Sequence, residues 1–208
     1  MLEGVQVFTQ NSIKIEKEKI IYIDTYEMQE EKHDADIILI THTHYDHFSL
    51  KDIEKVKKEN TILVGPEGIE EVQKIGFIKE NIKIVKPNQS YEIEGIKIET
   101  VPAYNLHKKF HPKENQWVGY ILNLQGQRYY IAGDTDNIEE IRNIKCDVAF
   151  VPIGGTYTMD AKEAASLVNV MQPKIVVPTH YGSIVGKKED AQIFAQKLKA
   201  NIQCKVYL

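Results

Sequence analysis

The sequence predicts an α/β (α+β) chain folded as a four-layer αββα sandwich, two sheets face to face with helices on each outer side. Three observations carry this. A 208-residue chain with 42% apolar and 27% charged residues has globular composition and room for a sizeable core. Runs of strand-like residues followed by a β-α-β pattern occur roughly twice along it. The β-branched segment Asp36–Thr41 is apolar on both faces, as a strand buried inside such a sandwich must be. No low-complexity stretch or linker interrupts the pattern, so one domain over 1–208 is expected.

The elements follow in order. Val5–Phe8, Ile13–Ile15 and Ile20–Ile23 read as short strands of an antiparallel meander, with Asn11-Ser12 at the first turn. Ser49, with Asp52 three residues on, opens a helix through Val56 toward Asn60. Thr61–Val64 is a strand, Glu67–Lys74 a helix closed by Gly76, and Ile82–Val85 a strand. Tyr91–Val101 alternates for eleven residues, with a hairpin at Gly95. Trp117–Leu124 and Arg128–Ala132 flank Gly126 as a second hairpin. Asp147–Val151 and Lys174–Val177 are buried strands. Between them Asp160 caps a helix whose Ala161, Ala164, Ala165 and Val168 make one apolar stripe. A helix over Glu189–Ala200 and a strand over Lys205–Leu208 complete the chain.

Charge and cysteine usage narrow the function classes. A net charge of −4 does not encourage a nucleic-acid partner, which needs a basic track. Two cysteines, Cys146 and Cys204, are too few for a disulfide framework. The start, MLEGVQVFTQ, lacks a basic leader and an apolar core, and no run has the length of a membrane span. The expectation is a soluble cytoplasmic protein without membrane association. A homo-oligomer is compatible with the sequence.

Of seven histidines, three fall within six residues, in Thr41-His42-Thr43-His44-Tyr45-Asp46-His47. Near a strand end, i and i+2 point the same way, so His42 and His44 converge on one point. Asp46 and His47 lie just beyond and can face a second. Imidazole and carboxylate suit Zn²⁺, Mn²⁺ or Fe²⁺. Chance histidines in a polar loop explain this spacing poorly.

At these residues the chain resembles the metallo-β-lactamase superfamily, whose defining motif is His-x-His-x-Asp-His after a strand. Gly133-Asp134-Thr135-Asp136 looks like the later motif whose aspartate bridges two metals. Pro178-Thr179-His180-Tyr181-Gly182 looks like the final motif histidine, and Ile23-Asp24 like an early structural aspartate. Val101–Asn105, His111-Pro112-Lys113, Trp117–Tyr120 and Pro152–Met159 are similar to the branch of ascorbate-phosphate lactonases and other "Zn-dependent hydrolases". The resemblance implies a second metal site of Asp46, His47, Asp134 and His180, and a first site of His42, His44 and Asp134. In the position of a third histidine for the first site stands Asn105, with His107 or His111 as substitutes from the loop. One firmly bound divalent metal, zinc or manganese with iron or nickel also fitting, and a more labile second one are therefore expected.

The function implied is hydrolysis of a small anionic ester, such as a lactone or phosphodiester, by metal-activated water. Asp46 and Asp134 are the catalytic carboxylates. Asn105, His107, Lys108 and His111 are candidate substrate-binding residues, because Asn105–Lys113 holds three lysines and two histidines in nine residues. A solvated loop is the alternative for that stretch. Gly154-Gly155 reads as a turn or a point of close ligand approach. Tyr157, Tyr181 and Cys146 read as packing residues, and His33 and Trp117 as surface and structure. The rivals are a non-catalytic metal-binding domain of the same fold, which the absent histidine would favour, and a nuclease. The true β-lactamases, the diiron flavoproteins and the nuclease branches differ: this chain has Asp134 rather than a cysteine, His44 rather than a glutamate, and no length for an inserted nuclease domain.

Overall fold

A computed structural model describes residues 2–208. Two sheets, one of six strands and one of seven, stack face to face. In the first, β1 (Val5–Val7), β2 (Ile13–Glu16) and β3 (Ile20–Ile23) are antiparallel neighbours. Then β4 (Ala35–Leu39), β5 (Lys57–Gly65) and β6 (Ile82–Ile84) continue in parallel. The second holds β7 (Ser90–Ile93), β8 (Ile96–Pro102), β9 (Val118–Leu124), β10 (Gln127–Ile131), β11 (Val148–Pro152), β12 (Ile175–Thr179) and β13 (Gln203–Cys204) in that spatial order. Its hairpins β7–β8 and β9–β10 turn at Glu94-Gly95 and Gln125-Gly126. Both residues of each turn have positive φ, the type I′ geometry that matches strand twist.

Strand alternation sorts the side chains into layers. Ile13, Ile15, Ile21, Ile23, Ile37 and Leu39 from one sheet meet Ile98, Tyr120, Leu122, Ile131 and Phe150 from the other in the central core. Tyr22, Ile38, Ile40 and Leu63 face outward onto Ile53 and Val56 of α1 (Leu50–Val56), and onto a 3₁₀ turn over Ile69–Ile75. On the far side Tyr130, Ala149, Val151 and Val176 pack against α2 (Ala161–Met171) and α3 (Asp190–Gln196). Four layers result.

Local signals explain most boundaries. Ser49 caps α1 by accepting the Asp52 amide, and Asp160 with Glu163 forms a full capping box on α2. Four expectations are corrected. The helix from Ser49 stops at Val56, because Lys57 pairs with Ala35 and the Lys58 amide donates to the Thr61 hydroxyl, so Lys57–Asn60 is strand. The segment before Gly76 is 3₁₀ rather than α, although Gly76 does close it in the left-handed conformation. The helix expected to reach Ala200 ends at Gln196. The final strand is Gln203–Cys204, which pairs with Ile175 and Val176, and not Lys205–Leu208.

Candidate metal centre

Four chain segments bring their functional residues to one edge of the sandwich. His42, His44, Asp46 and His47 follow β4, Asn105 to His111 follow β8, Asp134 follows β10, and His180 follows β12. Buried strands end there, so loop backbone is released where main-chain pairing stops.

The first segment is anchored by Asp24, which is fully buried with a positive φ. Its carboxylate accepts the Thr41 amide at 2.7 Å, the Thr41 hydroxyl at 2.6 Å and an Asn11 amide proton at 2.7 Å. It also lies 2.8 Å from His47 Nδ1. That contact turns His47 Nε2 toward Asp134 Oδ1 at 3.4 Å and Asp46 Oδ2 at 3.7 Å. A second positive-φ residue, His180, places Nε2 3.2 Å from Asp134 Oδ2 and 3.4 Å from Asp46 Oδ2.

His42 Nε2 lies 3.0 Å from His44 Nδ1, and His111 Nε2 is 3.3 Å from Asp134 Oδ2. Three sets therefore offer ligand atoms mutually within 4.8 Å: His42, His44 and His111; His42, His47 and Asp134; and Asp46, His47 and His180. The sets share members and abut one another.

The placement of the missing first-site ligand is corrected here. Asn105 does not point its amide into the cluster. Its Nδ2 donates to Asp136 Oδ1 and to the Tyr157 carbonyl, which fixes the amide orientation. Its Oδ1 then accepts from the His111 amide at 3.2 Å and faces His111 Nδ1 at 3.0 Å. The Asn105 amide in turn donates to the His111 carbonyl at 2.8 Å. Asn105 thus assigns the proton of His111 to Nδ1 and leaves Nε2 facing the cluster. A third imidazole is present, supplied from six residues farther along.

The cationic-loop expectation changes as well. Lys108 Nζ lies 2.6 Å from Asp136 Oδ1, and Lys113 Nζ 2.9 Å from Glu140. Both of these charges are taken up by the protein, while Lys109, the third lysine of the loop, is exposed. His107 is exposed and belongs to none of the three ligand sets. His111 and Asn105 are buried, and His111 belongs to one of the three ligand sets. Gly154 packs closely on the backbone of His180: a Cβ there would lie 2.3 Å from the His180 carbonyl oxygen.

Two residues escaped sequence reasoning. Trp117 walls the histidine cluster, its ring 4.8 Å from those of His42 and His44 and 5.5 Å from that of His111. Gln10, in the β1–β2 turn, is fully buried with Nε2 3.3 Å from both Asp46 Oδ2 and His180 Nε2. Proximity of the Trp-Val-Gly-Tyr segment to a strand start was the only available signal for the first. The second had none.

The electrostatics are those of a cation site. Burial pushes His42 well below the usual imidazole range, with His47 adding to the effect, and burial also lowers His44. Burial opposes the charge of His47, but Asp134, Asp24 and Asp46 outweigh it and raise that imidazole to about 9. For Asp46, burial acts upward, yet the His180 hydrogen bond and the charge of His47 hold the carboxyl at about 2. His180 and His47 likewise keep the buried Asp134 well below the carboxylate range, against its desolvation.

His47 Nε2, His111 Nε2 and Asp134 Oδ1 are buried without hydrogen-bond partners. Such orphans are costly, and all three face the cluster. A divalent cation satisfies them together, and nitrogen with carboxylate oxygen is a donor set that Zn²⁺ and Mn²⁺ accept. The residues fit a metal. The centre is also open, since His44, Asp46, His111 and Asp134 line a surface cavity of about 230 Å³.

Comparison with known proteins agrees with this geometry. The family described as "Beta-lactamase superfamily domain" matches residues 5–180. A "UPF0173 metal-dependent hydrolase" of Nanoarchaeum equitans is 34% identical over 194 residues, 88% of this chain and 86% of that protein. Another of the same description from Thermococcus onnurineus is 33% identical over 161 residues, covering 74% and 70%. A crystal structure from Parabacteroides distasonis, described as a metal-dependent hydrolase, superposes with a TM-score of 0.82 at 32% identity, covering 97% of this chain and 91% of that one.

Proposed function

Because the chain belongs to the beta-lactamase superfamily and to its UPF0173 metal-dependent hydrolases, we propose that it hydrolyses a small ester at two adjacent metals. The substrate is a small anionic ester such as a phosphodiester, which bears its charge on the reacting group, or a lactone, whose reacting group is neutral. One observation carries this reading: three abutting His/Asp sets with unpaired buried ligand atoms open onto a cavity. His42, His44 and His111 would hold one metal, Asp46, His47 and His180 the other, with Asp134 between them. When bound, the metals supply Lewis acidity and a water of lowered pKa.

The chain's own groups do the rest. Asp46 is ionised at neutral pH. Its Oδ2 is turned to Gln10, His47 and His180, so Oδ1 is the oxygen left to take a proton from the attacking water. Asp24, Thr41 and Asn105 orient the imidazoles, as partners behind a metal site do. Trp117 and the buried strand ends exclude bulk water, which strengthens every charge interaction inside.

A closed structural metal domain is disfavoured by the open cavity, since structural sites are sealed by protein ligands. A nuclease is disfavoured because the net charge is −4 and two of the three loop lysines are paired, with Asp136 and Glu140. The test is to reconstitute metal-free protein with zinc or manganese and assay lactones, phosphodiesters and thioesters. Activity that requires metal, and is lost in both His42→Ala and Asp134→Ala with the fold intact, supports the reading. Turnover unchanged in both variants refutes it.

A further inference from the structure

The side chains around the mouth of the cavity are apolar. Beside the ligand residues it is lined by Tyr45, Phe110, Tyr157 and Ile184. Three of these are unusually open for their type, with Tyr45 66%, Phe110 47% and Ile184 38% exposed. Exposed apolar surface is unremarkable when scattered, but these four converge on one opening at the metal centre. Phe110 and Tyr157 stand edge to face with centroids 4.6 Å apart, and Tyr45 is buttressed by Tyr26 at 5.9 Å. The ligand backbone holds them too: Tyr45 separates His44 from Asp46, Phe110 precedes His111, and the Tyr157 carbonyl accepts from Asn105.

Of the loop's three lysines, Lys109 is exposed next to Phe110 and the other two are ion-paired. Lys108 is turned back onto Asp136 and Lys113 onto Glu140. Hydrophobic walls with a few convergent polar groups at the base are the usual form of a small-molecule site. A volume of about 230 Å³ exceeds the roughly 150 Å³ that accommodates benzene, leaving space for a reacting group against the ligands.

We infer that Tyr45, Phe110, Tyr157 and Ile184 form a specificity subsite for an uncharged, aromatic-sized substituent of the substrate. This rests on the reading of the cluster as a hydrolytic centre. The substrate's polar end meets the metals, and its apolar end lies between Phe110–Tyr157 and Ile184. A second carboxylate or phosphate at that end meets apolar side chains and is rejected, because its desolvation goes uncompensated.

The test uses metal-reconstituted protein and three methyl esters: methyl acetate, methyl phenylacetate and monomethyl succinate. The inference predicts that kcat/KM for methyl phenylacetate exceeds both others by about tenfold or more, the size of discrimination an apolar pocket supplies. Phe110→Ala and Tyr157→Ala should each shrink that ratio severalfold while the metal content stays as in wild type. Ile184→Ala, the mildest change, should act in the same direction. Equal rates, or preference for the succinate ester, overturn it. Equilibrium binding of phenylacetate, acetate and succinate to the same protein separates the two ideas. If no methyl ester is turned over but phenylacetate binds about tenfold more tightly than the others, the subsite stands, and the hydrolase reading falls only if lactones, phosphodiesters and thioesters are also left intact. If binding is equal or favours succinate, the subsite is wrong whatever the activity.

Discussion

His47 couples protonation to metal binding. With its Nδ1 against Asp24 and its Nε2 facing Asp134 and Asp46, it is held near 9 in the metal-free protein. Below that pH, Nε2 bears a proton that a metal must displace. Affinity at this position should therefore fall as pH falls through 9, by up to about tenfold per pH unit. Calorimetric titration at pH 7 in buffers of different ionisation enthalpy should register about one proton released per metal bound there. Binding without proton release would show that His47 is already neutral. The neighbouring first set differs, because burial already presses His42 and His44 toward their neutral forms.

Asn105 and His111 mark the limit of what residue spacing revealed. His42, His44, Asp46 and His47 sit on one short segment, so strand geometry alone made them converge. His111 reaches the cluster only because the loop after β8 doubles back, pinned by Asn105 and Asp136. No local pattern encodes that path. The roles now assigned make a prediction opposite to a ligand at position 105. Asn105→Ala should weaken metal at the first set by about 10–100-fold, as loss of an orienting partner does, and Asn105→His should not tighten it. Metal competition against a chromophoric chelator reads both.

At the scale of elements, the centre depends on how strand ends are delivered. Gly133, between β10 and Asp134, has a φ of +65°, and a Cβ there would lie 2.9 Å from that of Thr41. Gly133→Ala should cost roughly 2 kcal/mol through left-handed strain and crowding, and should impair metal binding because the displaced partner is Thr41, which sits on Asp24. Denaturant unfolding with metal analysis tests both effects. Asp160→Ala, remote from the centre, should cost about 1 kcal/mol by removing the α2 cap, with metal content unchanged. Capping residues and two-residue turns were legible because their chemistry is local. Lys57–Asn60 was not, since what ends the helix there is the pairing of Lys57 with Ala35 across the irregular β4–β5 register, a non-local contact. Nor was the shortness of β13, whose length is set by β12 alone.

Across the whole molecule, the twice-repeated order of strands followed by β-α-β was enough to read two sheets and four layers, since each face had to find a partner. The charge state of the Asn105–Lys113 loop was not readable. A lysine-rich sequence looks cationic until the fold shows Asp136 and Glu140 reaching two of its three lysines, Lys108 and Lys113, from the segment after β10. Trp117 looked structural until the histidines proved to stand around it. The central claim is that three imidazoles complete one metal position beside a second of Asp46, His47 and His180, with Asp134 between. Its most direct test is the metal content of protein stripped, reconstituted with excess zinc and freed of unbound ion, for wild type and His111→Ala. The account predicts two equivalents in wild type and one in the variant. One equivalent in wild type, or two retained in His111→Ala, would contradict it.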